Sequence, residues 1–445
     1  MRLCTAARLF ALSCAAVTGT AAAQINLPAA RLPPLPAPGL TNALGHGATG
    51  VTGLAPEVLT SVRRTTGQNL IRRNPQLIEA DPNGEPMLRG ALVALDLGAA
   101  ALEHVLAAGF VRISGQALDD TGTRIDVLRA PQGMSTRRAL RQLRELEPTV
   151  LFDYDHIYDG SASAAAASAL QADTADTAPA PDGALELERG VRVGLIDGGV
   201  QVTHRVFHGA SIVASGCEGL AIPSAHGTAT ASLLIGDAAP FRGAAPGARL
   251  YAADVYCGQP TGGAVDAIAA AFGWLHTNRV AVINISLVGP DNLILRQVVK
   301  QMIAGGHIVV AAVGNDGPAA PPLYPAAYPG VVGVTGVDAH QRVLVEAERG
   351  SQVEFAAPGA DMAAATCPEG YSVVRGTSFA APLVAGLLAP HLMAPDPEGA
   401  RLAIASLAQE AKHVGASGRD PAYGLGLVAQ GLRVAPDIMQ LHRDR

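Results

Sequence analysis

Between residues 184 and 436 the chain repeats one pattern: an apolar run of strand length, then a stretch of helical character, then another apolar run. The runs fall at 191–196, 249–255, 280–287, 307–313 and 331–337, with helix-like segments at 263–276 and 292–304 between them. A strand apolar at nearly every position has no wet face. The pattern therefore predicts an α/β fold, a parallel sheet covered by helices on both faces. In such folds the reactive groups gather at the carboxyl ends of the strands.

The 445 residues exceed one ordinary domain. Met1-Arg2-Leu3, Arg8, an apolar run at 9–17 and Ala21-Ala22-Ala23 describe a secretory signal peptide over residues 1–23. That run is far shorter than the roughly 20 residues of a spanning helix, so no membrane anchor is expected. Residues 24–56 read as a proline-rich linker. Residues 57–160 read as a small α+β unit, with helices at 98–109 and 135–146 and strands at 110–113, 124–128 and 150–157. Residues 161–183 are almost wholly Ala, Ser, Thr, Asp and Pro, too apolar-poor to order themselves. The sheet domain is assigned to 184–436 and a tail to 437–445. A net charge of −6 with only 16% charged residues argues against a nucleic-acid partner. The product is expected outside the cytoplasm, secreted or periplasmic.

Four segments of the sheet domain carry chemistry. Asp197 ends a strand and is followed by Gly198-Gly199; a carboxylate buried there needs a partner. His226 opens a helix of small residues, and Ser378, in Gly376-Thr377-Ser378, opens an apolar one. Acyl transfer by serine needs a base for the hydroxyl proton and a buried acid that fixes the base's tautomer; these segments supply one of each. Asn315 ends another strand, where its amide can donate to a tetrahedral oxyanion while the Ser378 N–H donates from the other side.

In this order and with these flanking words, the chain resembles the subtilisin family of serine peptidases. The similarity runs from about residue 191 to 431 and includes Ile283-Asn284-Ile285-Ser286-Leu287, Tyr324-Pro325-Ala326-Ala327-Tyr328-Pro329, Ala356-Ala357-Pro358-Gly359 and Tyr423-Gly424-Leu425-Gly426. The resemblance implies a subtilisin-like parallel sheet preceded by a small α+β propeptide domain. It implies a serine endopeptidase acting through Asp197 as orienting acid, His226 as general base, Ser378 as nucleophile and Asn315 as oxyanion donor. Ser286, Leu287, Val288 and Gly289 would bind polypeptide substrates, and the unit 57–160 would be the chain's own intramolecular inhibitor. No cofactor is required for this chemistry. The span from Asp197 to His226 leaves little room for an acidic calcium loop, so structural calcium is left unassigned. Val288 stands where many members have glycine, which narrows the pocket before the cut bond and, with Leu323, favours small or medium apolar side chains there. An esterase or amidase on the same triad and an inactive binding module are the alternatives. Once the signal peptide is gone three cysteines remain. In the family the strands preceding Cys217 and Cys257 are parallel neighbours, which implies a Cys217–Cys257 bridge and a free Cys367.

Other groups read as ordinary. His204 and His208 lie four apart but lack a third ligand, and are read as packing or surface histidines. Asp153, Asp155 and Asp159 are read as a solvated acidic face.

Overall fold

The computed structural model describes residues 67–118, 123–160, 190–259 and 262–441. The expected signal peptide and both expected linkers, 24–56 and 161–183, lie outside the described residues.

The amino-terminal unit comprises β1 (Ile78–Ala80), β2 (Pro86–Leu95), α1 (Ala99–Ala107), β3 (Val111–Ala117), β4 (Arg124–Arg129), α2 (Thr136–Leu146) and β5 (Leu151–Gly160). Its strands form an antiparallel sheet in the order β5-β2-β4-β3, with β1 also on β2. One face packs Leu92, Ala94, Leu128 and Phe152 against Val105 of α1 and Leu140 and Leu143 of α2. The other face, carrying Val93, Leu95 and Ile125, joins the core of the second unit. The sheet is thus buried on both sides at β2, β4 and β5, whereas β3 lies mostly exposed.

The second unit follows with β6 (Arg192–Asp197), β7 (Ile212–Ser215), α3 (Ala225–Ile235), the ribbon β8 (Asp237–Ala238) and β9 (Phe241–Arg242), then β10 (Arg249–Asp254). Next come β11 (Gly263–Ala264), α4 (Val265–Thr277), β12 (Val282–Ile285), β13 (Leu287–Val288), α5 (Leu293–Ala304), β14 (Ile308–Ala312) and β15 (Val332–Val337). The chain closes with β16 (Val353–Pro358), the hairpin β17 (Met362–Ala365) and β18 (Tyr371–Val374), α6 (Thr377–Leu388), α7 (Pro397–Glu410) and α8 (Pro436–Leu441).

The main sheet has seven strands in the order β16-β15-β14-β12-β6-β10-β7, and every neighbouring pair is parallel. Alternate residues feed opposite faces, as the two-residue period requires. On β14, Ile308, Val310 and Ala312 join the layer beneath α3 and α6, while Val309 and Ala311 join the layer beneath α4 and α5. Each fully buried aliphatic side chain contributes about 1.5–3 kcal/mol. These two layers are why the strands read as unbroken apolar runs.

Three segments differ from the sequence reading. The expected strand 280–287 divides at Ser286: β12 stays in the main sheet, whereas β13 pairs with β5 of the amino-terminal unit. Residues 263 and 264, expected to begin a helix, form β11, which pairs with the other edge of β5. The segment expected as a tail from 437 begins inside α8, whose Met439 enters the core.

Candidate active site

The parallel register levels the ends of the central strands, setting Asp254 beside Asp197. Asp197 is fully buried at the end of β6. Its Oδ1 accepts from the Gly198 N–H at 2.7 Å, and its Oδ2 accepts from the Thr230 hydroxyl at 3.2 Å. His226 Nδ1 lies 2.8 and 3.0 Å from the two carboxylate oxygens. Against a carboxylate that nitrogen carries the proton, which leaves Nε2 with its lone pair.

The imidazole reaches this position because α3 begins directly under β6. Ser224 caps the helix by accepting from the Gly227 N–H at 2.9 Å. Gly227 has no substitute here, since a Cβ would fall 2.0 Å from the Gly198 carbonyl oxygen. Burial pushes the His226 pKa down, but the Asp197 carboxylate outweighs it by charge and hydrogen bond. Asp159 adds further negative charge, so the imidazole titrates above its ordinary value.

Ser378 is the second residue of α6. Its hydroxyl donates to the Ser286 carbonyl at 3.2 Å, and the Ser286 hydroxyl donates back to the Ser378 carbonyl at 2.9 Å. Phe379 packs its ring 5.5 Å from that of His226, which sets the start of α6 against the imidazole. The helix amino terminus adds a positive partial charge beneath the hydroxyl. Asn315 Oδ1 accepts from the Thr377 N–H at 3.1 Å, fixing the orientation of its amide. The Nδ2 of Asn315 and the Nε2 of His226 are both buried without a hydrogen-bond partner. An uncharged donor and an acceptor, each held in place from behind, are what an oxyanion and a hydroxyl proton would meet.

Ser286, Leu287, Val288 and Gly289 span β13 and the positions on either side of it. Leu287 pairs with Gly160 and Val288 with Asp159, while on the opposite edge Tyr158 pairs with Gly263 and Ile157 with Ala264. Gly289 is braced from behind by reciprocal main-chain hydrogen bonds with Tyr324 of 2.9 and 3.1 Å. The β5 strand therefore lies between β11 and β13, antiparallel to both. At its end, a Cβ on Gly160 would sit 3.2 Å from His226 Nε2.

Of the acidic face expected to be solvated, Asp159 is exposed, but Asp153 and Asp155 are buried at this junction. Asp153 Oδ2 accepts from the Leu293 N–H at 2.7 Å and Asp155 Oδ1 from the Asp266 N–H at 3.2 Å, so each carboxylate caps the amino terminus of a helix in the second unit. Burial, and then the charge of Asp266, hold Asp155 well above the usual carboxylate range. Asn292 donates to the Tyr154 carbonyl at 2.9 Å. No local sequence pattern marks these residues, because their partners lie more than a hundred positions away.

His204 is buried, with Nε2 on the Gly370 carbonyl at 2.9 Å, while His208 is exposed. Cys217 and Cys257 are joined, with Cα atoms 5.0 Å apart at the ends of β7 and β10, and Cys367 is free. Among the described residues one cluster has metal-ligand spacing, Cys217, Asp254 and Cys257. Sulfurs joined to each other cannot act there as thiolate ligands. No described helix is long and apolar enough to cross a membrane.

Comparison with known proteins gives the family. The sequence profile of the Subtilase family matches residues 188–426. Subtilisin DY of Bacillus licheniformis is 35% identical over 208 residues, 45% of this chain and 75% of that protein. Subtilisin E of Bacillus subtilis (strain 168) is 35% identical over 210 residues, and the match spans about half of that protein's length (54%). Among solved structures, fervidolysin from Fervidobacterium pennivorans, described as a keratinolytic enzyme related to subtilisin, shares the fold with a TM-score of 0.62 at 18% identity. That alignment covers 82% of this chain and 62% of fervidolysin. With the family profile matched over more than half its length, the chain belongs to the Subtilase family, whose members are serine endopeptidases and need no cofactor for catalysis.

Proposed function

We propose that the chain is made as an exported precursor, secreted or periplasmic, and processes itself into a serine endopeptidase with Asp197, His226 and Ser378 as its triad. As the Ser378 oxygen attacks the carbonyl carbon of the scissile bond, its proton passes to His226 Nε2. Asp197 stabilises the resulting imidazolium. The carbonyl oxygen, now negative, receives hydrogen bonds from Asn315 Nδ2 and the Ser378 N–H. Collapse breaks the C–N bond; the amine leaves with the proton from His226, and the acyl group remains as an ester on Ser378. Water, deprotonated by His226, then releases the acid and restores the hydroxyl.

The observation that carries this reading is β5, an extended segment of the chain's own backbone laid between β11 and β13 with Gly160 against His226. Two flanking strands recognise a main chain by its amides, a mode that suits polypeptides and offers nothing to a small ester. By the same arrangement residues 57–160 act as an intramolecular inhibitor, and the maturation cut falls within or beside 161–190. Leu323 is buried beside the Gly314-Asn315 segment, which with Val288 favours small or medium apolar side chains before the cut bond. In the oxidising compartment implied by export, Cys217 and Cys257 form a disulfide.

Replacing Ser378 by Ala tests the core of the proposal. The variant is expected to lose fluorophosphonate labelling and to accumulate at precursor size in a host lacking other proteases. Labelling that persists would reject Ser378 as nucleophile, and normal maturation of the variant would reject self-processing.

A further inference from the structure

The fourth residue after Ser378 in α6 is Pro382. Proline has no N–H, so the usual helical hydrogen bond onto the Ser378 carbonyl cannot form. The Ser286 hydroxyl takes that place, donating to the carbonyl at 2.9 Å. It is itself held from behind, accepting from Asn284 Nδ2 at 3.0 Å. Because an amide nitrogen can only donate, the Ser286 proton is left to point one way, at the Ser378 carbonyl. All three residues are fully buried.

Asn284 is an unexpected residue for its place. On β12, Ile283 and Ile285 turn toward the layer beneath α4 and α5, so Asn284, like Val282, faces the apolar layer beneath α6. Its Oδ1 is buried there without a hydrogen-bond partner, a penalty that an aliphatic side chain would avoid. What the amide does supply is the bond that orients Ser286. On the other side of the nucleophile, Asn315 Oδ1 accepts from the Thr377 N–H at 3.1 Å. The two contacts clamp the backbone before and after the Ser378 N–H.

We propose that Asn284 and the Ser286 hydroxyl are positioning residues for acyl transfer: their one-way chain of hydrogen bonds fixes the Ser378 carbonyl and so aims the Ser378 N–H at the substrate oxygen that becomes negative. The inference rests on the peptidase reading of the cleft and adds two side chains to its machinery. Both lie buried behind the cleft, touch no substrate, and neither gain nor lose a proton in the reaction. The main-chain carbonyl of Ser286, which accepts from the Ser378 hydroxyl at 3.2 Å, stays in place when the side chain is removed. Loss of the hydroxyl therefore lowers kcat through a misaimed donor, by roughly 10- to 100-fold, less than the loss of a donor outright, with KM little changed.

The test uses the full-length chain after it has processed itself and an internally quenched peptide of the sequence 157–164. A fluorophosphonate counts working sites, so kcat is expressed per labelled Ser378. The second probe is a peptidyl trifluoromethyl ketone, whose adduct with the serine carries the oxyanion; its affinity is read from protection against the fluorophosphonate and needs no cleavage. Ser286→Ala is expected to lower kcat and ketone affinity by the same factor, and Ser286→Thr, which keeps the donor, to restore most of both. Asn284→Ala is expected to lower kcat, and its combination with Ser286→Ala to be no worse than Ser286→Ala alone, because the amide acts only through that hydroxyl. An unchanged kcat in Ser286→Ala, a raised KM in place of a lowered kcat, a ketone that binds as before, or Ser286→Thr as impaired as Ser286→Ala each overturns the role of the hydroxyl. Losses that multiply in the double variant overturn the chain from Asn284. An unsubstituted protein that fails to label rejects the catalytic reading itself.

Discussion

Acidification is expected to destabilise the protein through one histidine far from the cleft. His307 is 2% exposed and precedes β14. Its Nδ1 donates to the Val280 carbonyl at 2.8 Å, which makes Nε2 the acceptor facing His276 Nδ1 at 3.0 Å. A second proton would have to enter a buried site already faced by an N–H. Burial lowers the His307 pKa most; the Val280 carbonyl opposes this, and His276 and Arg279 add to it, taking the value from 6.5 to about 4. At 1.36 kcal/mol per unit this amounts to about 3 kcal/mol. Because the folded pKa is depressed, the stabilisation is complete above pH 6.5, falls as the unfolded chain takes up the proton, and is gone once the pH passes below about 4. Urea unfolding of the Ser378→Ala chain, which cannot digest itself on the proposed reading, would be followed from pH 7.5 to 4.5 with and without His307→Gln. The stability difference between the two is expected to shrink by about 2 kcal/mol between pH 6.5 and 4.5. Parallel curves over that interval would refute the reasoning.

Three further outcomes are expected. Asn315→Ala removes the side-chain donor to the oxyanion, so kcat on a peptide substrate falls by about 100- to 1000-fold with KM little changed; an unaltered kcat would exclude the residue from that role. Asp155, with its pKa raised in the assembled chain, favours the bound amino-terminal unit at low pH and loses that contribution as pH rises through the raised value. After processing, that unit should co-elute with the peptidase better in acid than in base, and Asp155→Asn should flatten the dependence; identical profiles would contradict the assignment. Non-reducing peptide mapping of the exported protein should recover Cys217 linked to Cys257, and a linked pair containing Cys367 would disprove the pairing.

The main sheet and the cleft were legible because both rest on local patterns. Strands buried on two faces leave apolar runs, and the residues around Asp197, His226, Asn315 and Ser378 sit in short words at strand or helix ends. What escaped depends on distant parts of the chain. Asp153 and Asp155 look like surface carboxylates until α4 and α5 present their amino termini to them. Strand β2 contains Gly90 at φ 71° and a register break between Met87 and Leu92, so no clean alternation announces it. Strand β17, Met-Ala-Ala-Ala, carries residues that locally favour helix and becomes extended only through its pairing with β18.

The position of β5 between two strands gives the proposed maturation an order of events governed by concentration. In the uncut chain the strand meets its cleft at an effective concentration of the millimolar order typical of short tethers, so the cleft is occupied at any protein concentration. Cutting the chain leaves every contact of β5 as it was and removes only the tether. Occupancy then follows the amount of enzyme present, and dilution after export becomes the step that opens the site. A crowded compartment would keep the cut protein silent, while the same molecules spread through a large volume would become active without any further change in their structure.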